Sequence, residues 1–128
     1  MVHRIKDNEE LFSETDKLIL EIKQKEIDNY INIKEKELII KDFKLYKIGI
    51  VMADSYTSEL GNILCERHEE LDFVAIIKKE TVSLRTVKDD INLTDIAKQF
   101  GGGGHPKASG FPLGKDKLDK FICELFDI

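Results

Sequence analysis

The apolar positions change their period along the chain, and the changes mark out the elements. In the first third, Leu11, Leu18 and Ile22, and separately Leu20, Ile27 and Ile31, recur at helical or near-helical spacing among Lys, Glu and Asp. That spacing predicts helix over residues 8 to about 35, in one piece or two, with no Pro or Gly to interrupt it. A long charged helix at a terminus often serves as a linker. Beyond it the period falls toward two. Residues 37–41 read as a strand, Asp42 and Phe43 as a turn, and 45–53 as a stronger strand in which Ile48, Ile50 and Met52 alternate with Lys47, Gly49 and Val51. Two strands so closely joined predict a hairpin.

The helical period returns at 57–68, with Leu60, Ile63 and Leu64 as the inward stripe and Asp54 or Ser55 as the expected N-cap. Gly61 lies inside this helix at a cost of about 1 kcal/mol against Ala, so a packing or ligand reason for it is expected. Residues 72–78 are almost continuously apolar and predict a central strand, and Lys79 and Glu80 turn the chain. Residues 81–87 then alternate, with Val82, Leu84 and Thr86 on one face and Ser83, Arg85 and Val87 nearer the other. Asn92 opens a short helix, with Asp95 placed three residues on as in a capping box, and that helix carries Ile96, Ala97 and Phe100. A glycine run follows, then a short strand at 108–113. Asp116 is the expected cap of a last helix striped by Leu118, Phe121, Ile122 and Leu125. The order α-β-β-α-β-β-α-β-α specifies an α/β fold, with helices packed on a mixed, mostly five-stranded sheet behind a linker-like helix.

Length and composition narrow the class. The 128 residues fit one domain with a core that needs no staples. Charged residues make up 35% but carry both signs among patterned apolar positions, which excludes a disordered chain. No apolar run approaches the ~20 residues of a membrane span. Residues 1–7 lack an apolar leader segment, so a cytoplasmic protein with no membrane partner is expected. Cys65 and Cys123 form no Cys-x-x-Cys pair and read as two reduced, buried thiols. His3, His68 and His105 show no ligand spacing, which argues against zinc. The net charge of −5 opposes non-specific binding to a long duplex. Residues 78–107 nevertheless hold six Lys/Arg against four acids, net +2, while the rest of the chain carries −7. That contrast provides a place for a small anion, although chance scatter accounts for it equally well.

The candidate chemistry is concentrated in two places. Gly101, Gly102, Gly103 and Gly104 run directly into His105. Four residues without Cβ permit positive φ and let successive N–H groups line an anion-binding concavity. The plainer alternative is a connector that closes a helix C-terminus, where one glycine is routine. Arg85 is the second candidate, because its planar fork suits phosphate oxygens and the hydroxyls of Ser83 and Thr86 stand beside it. A solvated strand Arg is the plainer alternative there. Lys107 and Ser109 flank His105 and would extend the same rim. No Asp/His grouping suggests a two-metal centre, and no Gly-x-Ser-x-Gly elbow occurs. The residues describe a binding surface without catalytic machinery.

Three segments carry a family resemblance. Ser83-Leu84-Arg85-Thr86, the run from Ile96-Ala97-Lys98-Gln99-Phe100 through the glycines to His105-Pro106-Lys107-Ala108-Ser109-Gly110-Phe111, and Thr57-Ser58-Glu59-Leu60-Gly61-Asn62 together resemble the DHHA1 domain of DHH-superfamily phosphoesterases. The resemblance covers residues 44–128, with 1–43 as a linker-like helix and first strand. It implies that Arg85, Thr86, the glycines at 101 to 104, His105 and Lys107 bind the phosphate of a nucleotide or short oligonucleotide. It also implies that a separate DHH domain, holding two divalent metals, usually manganese, performs the hydrolysis. This chain alone would then be inactive, either as part of a longer protein or as a free-standing domain. Thr86 stands where the family has Ser, and Ser109 where it has a second Ala. Two other readings remain open: a non-catalytic nucleic-acid-binding module, like the related domain of alanyl-tRNA synthetases, or an oligomerisation module, for instance of a homodimer.

Overall fold

A computed structural model describes residues 2–114 together with Phe121, Cys123 and Leu125. By compactness the chain divides into residues 1–32 and 33–128. The first unit is helical throughout: α1 (Val2–Lys36) is one uninterrupted helix that carries on into the second unit. Its apolar positions Leu18, Leu20 and Ile22 are exposed.

The second unit is built on a six-stranded sheet in the order β1-β2-β3-β4-β6-β5. Its strands are β1 (Ile39–Phe43), β2 (Tyr46–Met52), β3 (Phe73–Ile77), β4 (Thr81–Arg85), β5 (Gly103–His105) and β6 (Ala108–Pro112). Only β2 and β3 pair in parallel, and α2 (Thr57–Arg67) supplies the crossover that a parallel pair requires. The remaining pairs are antiparallel, the expected β1–β2 hairpin among them.

Strand alternation gives the sheet two different faces. One carries Phe43, Ile48, Ile50, Phe73, Ala75, Val82, Leu84 and Phe111, and packs on Leu93, Ile96, Ala97 and Phe100 of α3 (Leu93–Gln99) with Phe121 and Leu125. The other carries Val51, Val74 and Ile76, all buried, and receives Leu60 and Leu64 of α2. α2 lies over β3 and β4 only, so the β6–β5 end of that face is not roofed by it.

Five sequence expectations need correction. The turn falls at Lys44 and Leu45, with Lys44 at φ 57°, because Phe43 is drawn into the core and pairs with Tyr46. β4 stops at Arg85, since Thr86 turns its hydroxyl onto the Asp72 carbonyl. The N-cap residue of α2 is neither Asp54 nor Ser55 but Tyr56, in the left-handed region at φ 51°, whose side chain makes no cap bond. Asn92 does cap α3, accepting the Thr94 N–H at 3.0 Å. The sheet gains a sixth strand, because half of the glycine run is extended and pairs with β6. Cys65 is buried, but Cys123 is exposed. It lies two positions beyond buried Phe121, which puts it near the opposite side of a helix. Asp116, Leu118 and Ile122 lie outside the described residues.

Candidate functional site

Arg85, at the end of β4, projects from the face that α2 covers. Its stem lies against Gly61: a Cβ built there would sit 2.6 Å from Arg85 Cβ and 2.5 Å from Cγ. Its guanidinium donates from one nitrogen to the Leu84 carbonyl at 2.8 Å, and another nitrogen reaches Ser58 Oγ at 3.5 Å. Among the described residues no carboxylate pairs with it. Burial alone draws its pKa below the ordinary value, leaving it cationic. A half-buried cation without a counter-charge is unsatisfied, and an anion would satisfy it.

Sheet register carries that face outward from Arg85. Arg85 pairs with Ala108 on β6, and Ala108 with His105 on β5. Residues paired across a ladder project to the same side. Arg85 and His105 therefore flank Ala108 on one face, about 10 Å apart at two strand spacings. The next row in that direction is Ser83, Gly110 and Gly103. Gly103 has no atom within 4 Å of the place its Cβ would take. The result is a floor of Gly103, Ala108 and Gly110 with almost no side chains, bounded by Arg85 and Ser83 on one side and His105 on the other.

The glycine run divides its labour. Gly101 (φ 83°) donates to the Lys98 carbonyl at 3.2 Å and Gly102 to that of Ala97 at 2.9 Å, a Schellman closure of α3. Two of the four amides are thus spent on the helix end, and the four do not converge on one point. At Gly102 a Cβ would fall 2.0 Å from the Gly110 carbonyl oxygen, so only glycine admits this approach of backbone to backbone. Gly103, Gly104 and His105 then form β5. The Lys107 N–H approaches His105 Nδ1 at 3.4 Å, which in the neutral ring leaves the proton on Nε2 as a donor.

Three further expected site residues lie elsewhere. Thr86 is 2% exposed and on the opposite parity of the strand; its hydroxyl donates to the Asp72 carbonyl at 2.7 Å and accepts the Lys88 N–H at 3.1 Å. Ser109 does not extend the rim: it faces the core side, 2% exposed, and donates to the His105 carbonyl at 2.6 Å. Lys107 sits in the β5–β6 turn, paired with Asp89 at 2.5 Å, and that pair holds the Asp89 carboxyl below its usual range. Sequence reasoning did not single out Ala108, Gly110 or Ser58 as part of the site. The alternation of small residues along 108–110 was the available signal for the first two. A groove of about 560 Å³ lined by Met52, Ile77, Lys78 and Leu113 among others includes none of the Arg85–His105 rows.

The described residues thus form an open α/β sheet with a side-chain-poor edge face bounded by Arg85 and His105. The comparisons identify the class: the DHHA1 domain matches residues 47–128, and the chain belongs to that family. It is 36% identical over 131 aligned residues to Oligoribonuclease NrnB of Bacillus subtilis (strain 168); the alignment takes in the whole chain but only 33% of that protein. Among solved structures it resembles an exopolyphosphatase-related protein from Bacteroides fragilis, with TM-score 0.56 and 19% identity over 79% of this chain and 34% of the other. It also resembles the pGpG-specific phosphodiesterase PggH of Vibrio cholerae, with TM-score 0.51 and 10% identity over 75% and 36%. These two likenesses show the fold. The chain spans about a third of the length of each of these proteins.

Proposed function

We propose that this domain binds the phosphate of a nucleotide or short oligonucleotide for hydrolysis by a DHH domain of the same longer chain, with the stretch before residue 44 as the connection. The observation that carries this reading is the row Arg85–Ala108–His105. It sets an uncompensated guanidinium and an imidazole donor on either side of a floor that leaves room for a ligand. The name of the B. subtilis relative supports an oligoribonucleotide, and that of the V. cholerae protein a dinucleotide. Arg85 and the His105 Nε2–H would hold the phosphate, and Ser83 would contribute a hydroxyl beside them. The flat floor would let a sugar or base approach the backbone. Among the described residues no three His, Cys, Asp or Glu side chains gather as metal ligands. The two divalent metals, manganese on the resemblance, would belong to the DHH domain, where they supply the activated water. In the described residues no helix is long and apolar enough to cross a membrane. The free thiols suit a cytoplasmic location.

The test is titration of the chain with 5′-phosphorylated diadenylate, followed by NMR. The Arg85 side-chain and His105 ring signals are expected to move together and saturate with one dissociation constant. Arg85→Ala should weaken binding about ten- to a hundredfold, the loss of a charge-assisted contact worth roughly 1.5–3 kcal/mol. Binding that leaves both signals in place would remove the site from this face.

A further inference from the structure

We infer that α2 is the element that aims Arg85, with Gly61 and Ser58 as positioning residues; this rests on the reading of Arg85 as a phosphate ligand. Ser58, Gly61 and Cys65 follow one another at i, i+3 and i+7, a single stripe along the helix. Each meets a different part of Arg85. Cys65 Sγ donates to the Arg85 carbonyl at 3.3 Å, Gly61 takes the stem, and Ser58 Oγ stands 3.5 Å from the guanidinium. The stripe fixes the arginine at its backbone, its stem and its tip.

The glycine is the decisive member. Of the three atoms nearest to a Cβ at position 61, the two inside 3.0 Å both belong to Arg85, while Ile76 Cδ1, at 3.4 Å, is an ordinary contact. The slot in α2 is therefore occupied by the stem of Arg85, by the Cβ that any side chain at this position would bring and by its Cγ. Because the colliding atoms are Cβ and Cγ, a rotation of the guanidinium cannot relieve the clash. Another rotamer of the stem would move Cγ but not Cβ, so the helix must lift off the strand, and Ser58 then parts from the charged end. A glycine inside a helix, unfavourable by propensity, is explained by the side chain it admits.

The experiment compares Gly61→Ala, Arg85→Ala and the double variant by titration with 5′-phosphorylated diadenylate, alongside the Arg85 Nε–H signal. We expect Gly61→Ala to shift that signal in the unliganded chain and to weaken binding about tenfold. In the Arg85→Ala background, with no guanidinium left to misplace, it should weaken binding no further. A purely structural glycine would weaken binding equally in both backgrounds, and that result, or native affinity in Gly61→Ala, overturns the inference. If Arg85→Ala itself binds as the native chain does, the reading of Arg85 as a ligand fails, and the inference with it. Should Gly61→Ala not fold, Ser58→Ala on the exposed first turn decides: a two- to threefold loss confined to the Arg85-containing chain supports positioning, and an unchanged affinity rejects it.

Discussion

The two faces of the sheet both bury apolar side chains, but they part company around Arg85 and toward β5. Toward α3, bulk is everything: Phe43, Phe73, Phe100, Phe111 and Phe121 interlock, with Phe100 stacked on Phe111 at 4.8 Å and Phe121 edge-on to Phe100 at 5.6 Å. Toward α2, Val74, Ile76, Leu60 and Leu64 are buried as well, but around Arg85 and beyond the helix edge bulk is missing. Gly61 admits an arginine stem, Gly103 and Gly110 leave a bare floor, and Ala108 keeps Arg85 and His105 in view of each other. One strand serves both designs at once. On β6, Phe111 faces the aromatic cluster while Gly110, the preceding residue, faces the floor. On the proposed reading, stability and recognition would be separated along β6 by the side-to-side alternation of one strand.

The sharpest way to break the contrast is on β6 itself. Phe111→Ala empties a ring position in the packed cluster and should cost about 3–5 kcal/mol. Thermal unfolding followed by circular dichroism should show a midpoint lowered by about 10 °C or more. A fall of only a degree or two would mean that the rings are not the main support of the fold. The complementary change on the open face is Gly103→Val. Nothing stands near its missing Cβ, and its backbone is an ordinary strand, so β-branched Val should fold at close to the native midpoint. Its methyls would occupy the floor between Arg85 and His105, and binding of 5′-phosphorylated diadenylate should fall tenfold or more. Native binding by Gly103→Val would show that the ligand lies elsewhere.

A subtler test addresses the thiol behind Arg85. Burial pushes the Cys65 pKa from its ordinary 9.0 up to about 11. The folded state thus favours the neutral thiol. Its contribution to stability is whole below pH 9 and is lost as the pH rises from about 9 through about 11. Urea midpoints compared at pH 8 and pH 10.5 should fall, and Cys65→Ala should remove part of that fall. An identical pH dependence in the variant would place the thiol in contact with solvent. At pH 8 a thiol reagent should modify exposed Cys123 well before Cys65.

Much of this arrangement can be read from the sequence, and the parts that cannot have physical reasons. The alternation of 81–87 assigned Ser83 and Arg85 to one face and Val82, Leu84 and Thr86 to the other, and the structure keeps that assignment because one face had to be buried. The short strand expected at 108–113 is present as β6, and its pairing with β4 and β5 brings Arg85 and His105 to the same face. β5 was not legible. A run of glycines carries no side-chain period, so whether it loops or pairs is decided by its partner strand. Closure of a helix C-terminus is the plainer reading of the glycine run, and Gly101 and Gly102 carry it out while Gly103 and Gly104 pair in β5. Gly61 was recognisable as an anomaly, but its explanation lies 24 positions away in Arg85, where no local pattern reaches. Tyr56 was hidden for the opposite reason: Asp54 and Ser55 are better caps by type, yet Ser55 Oγ turns to the Asp54 carboxylate instead.

The strand that completes the candidate site is the shortest in the sheet and forms its margin. β5 pairs through three residues with one neighbour and, among the described residues, with none on its outer side. Marginal segments of this kind separate from the body of a protein at lower free energy than central ones such as β3. In amide exchange, the N–H groups of 103–105 should therefore trade their protons sooner than those of 73–77. A phosphate bridging Arg85 on the stable strand to His105 on the margin would tie the two together. Bound ligand would then register as slowed exchange at the rim, even where the average coordinates do not move.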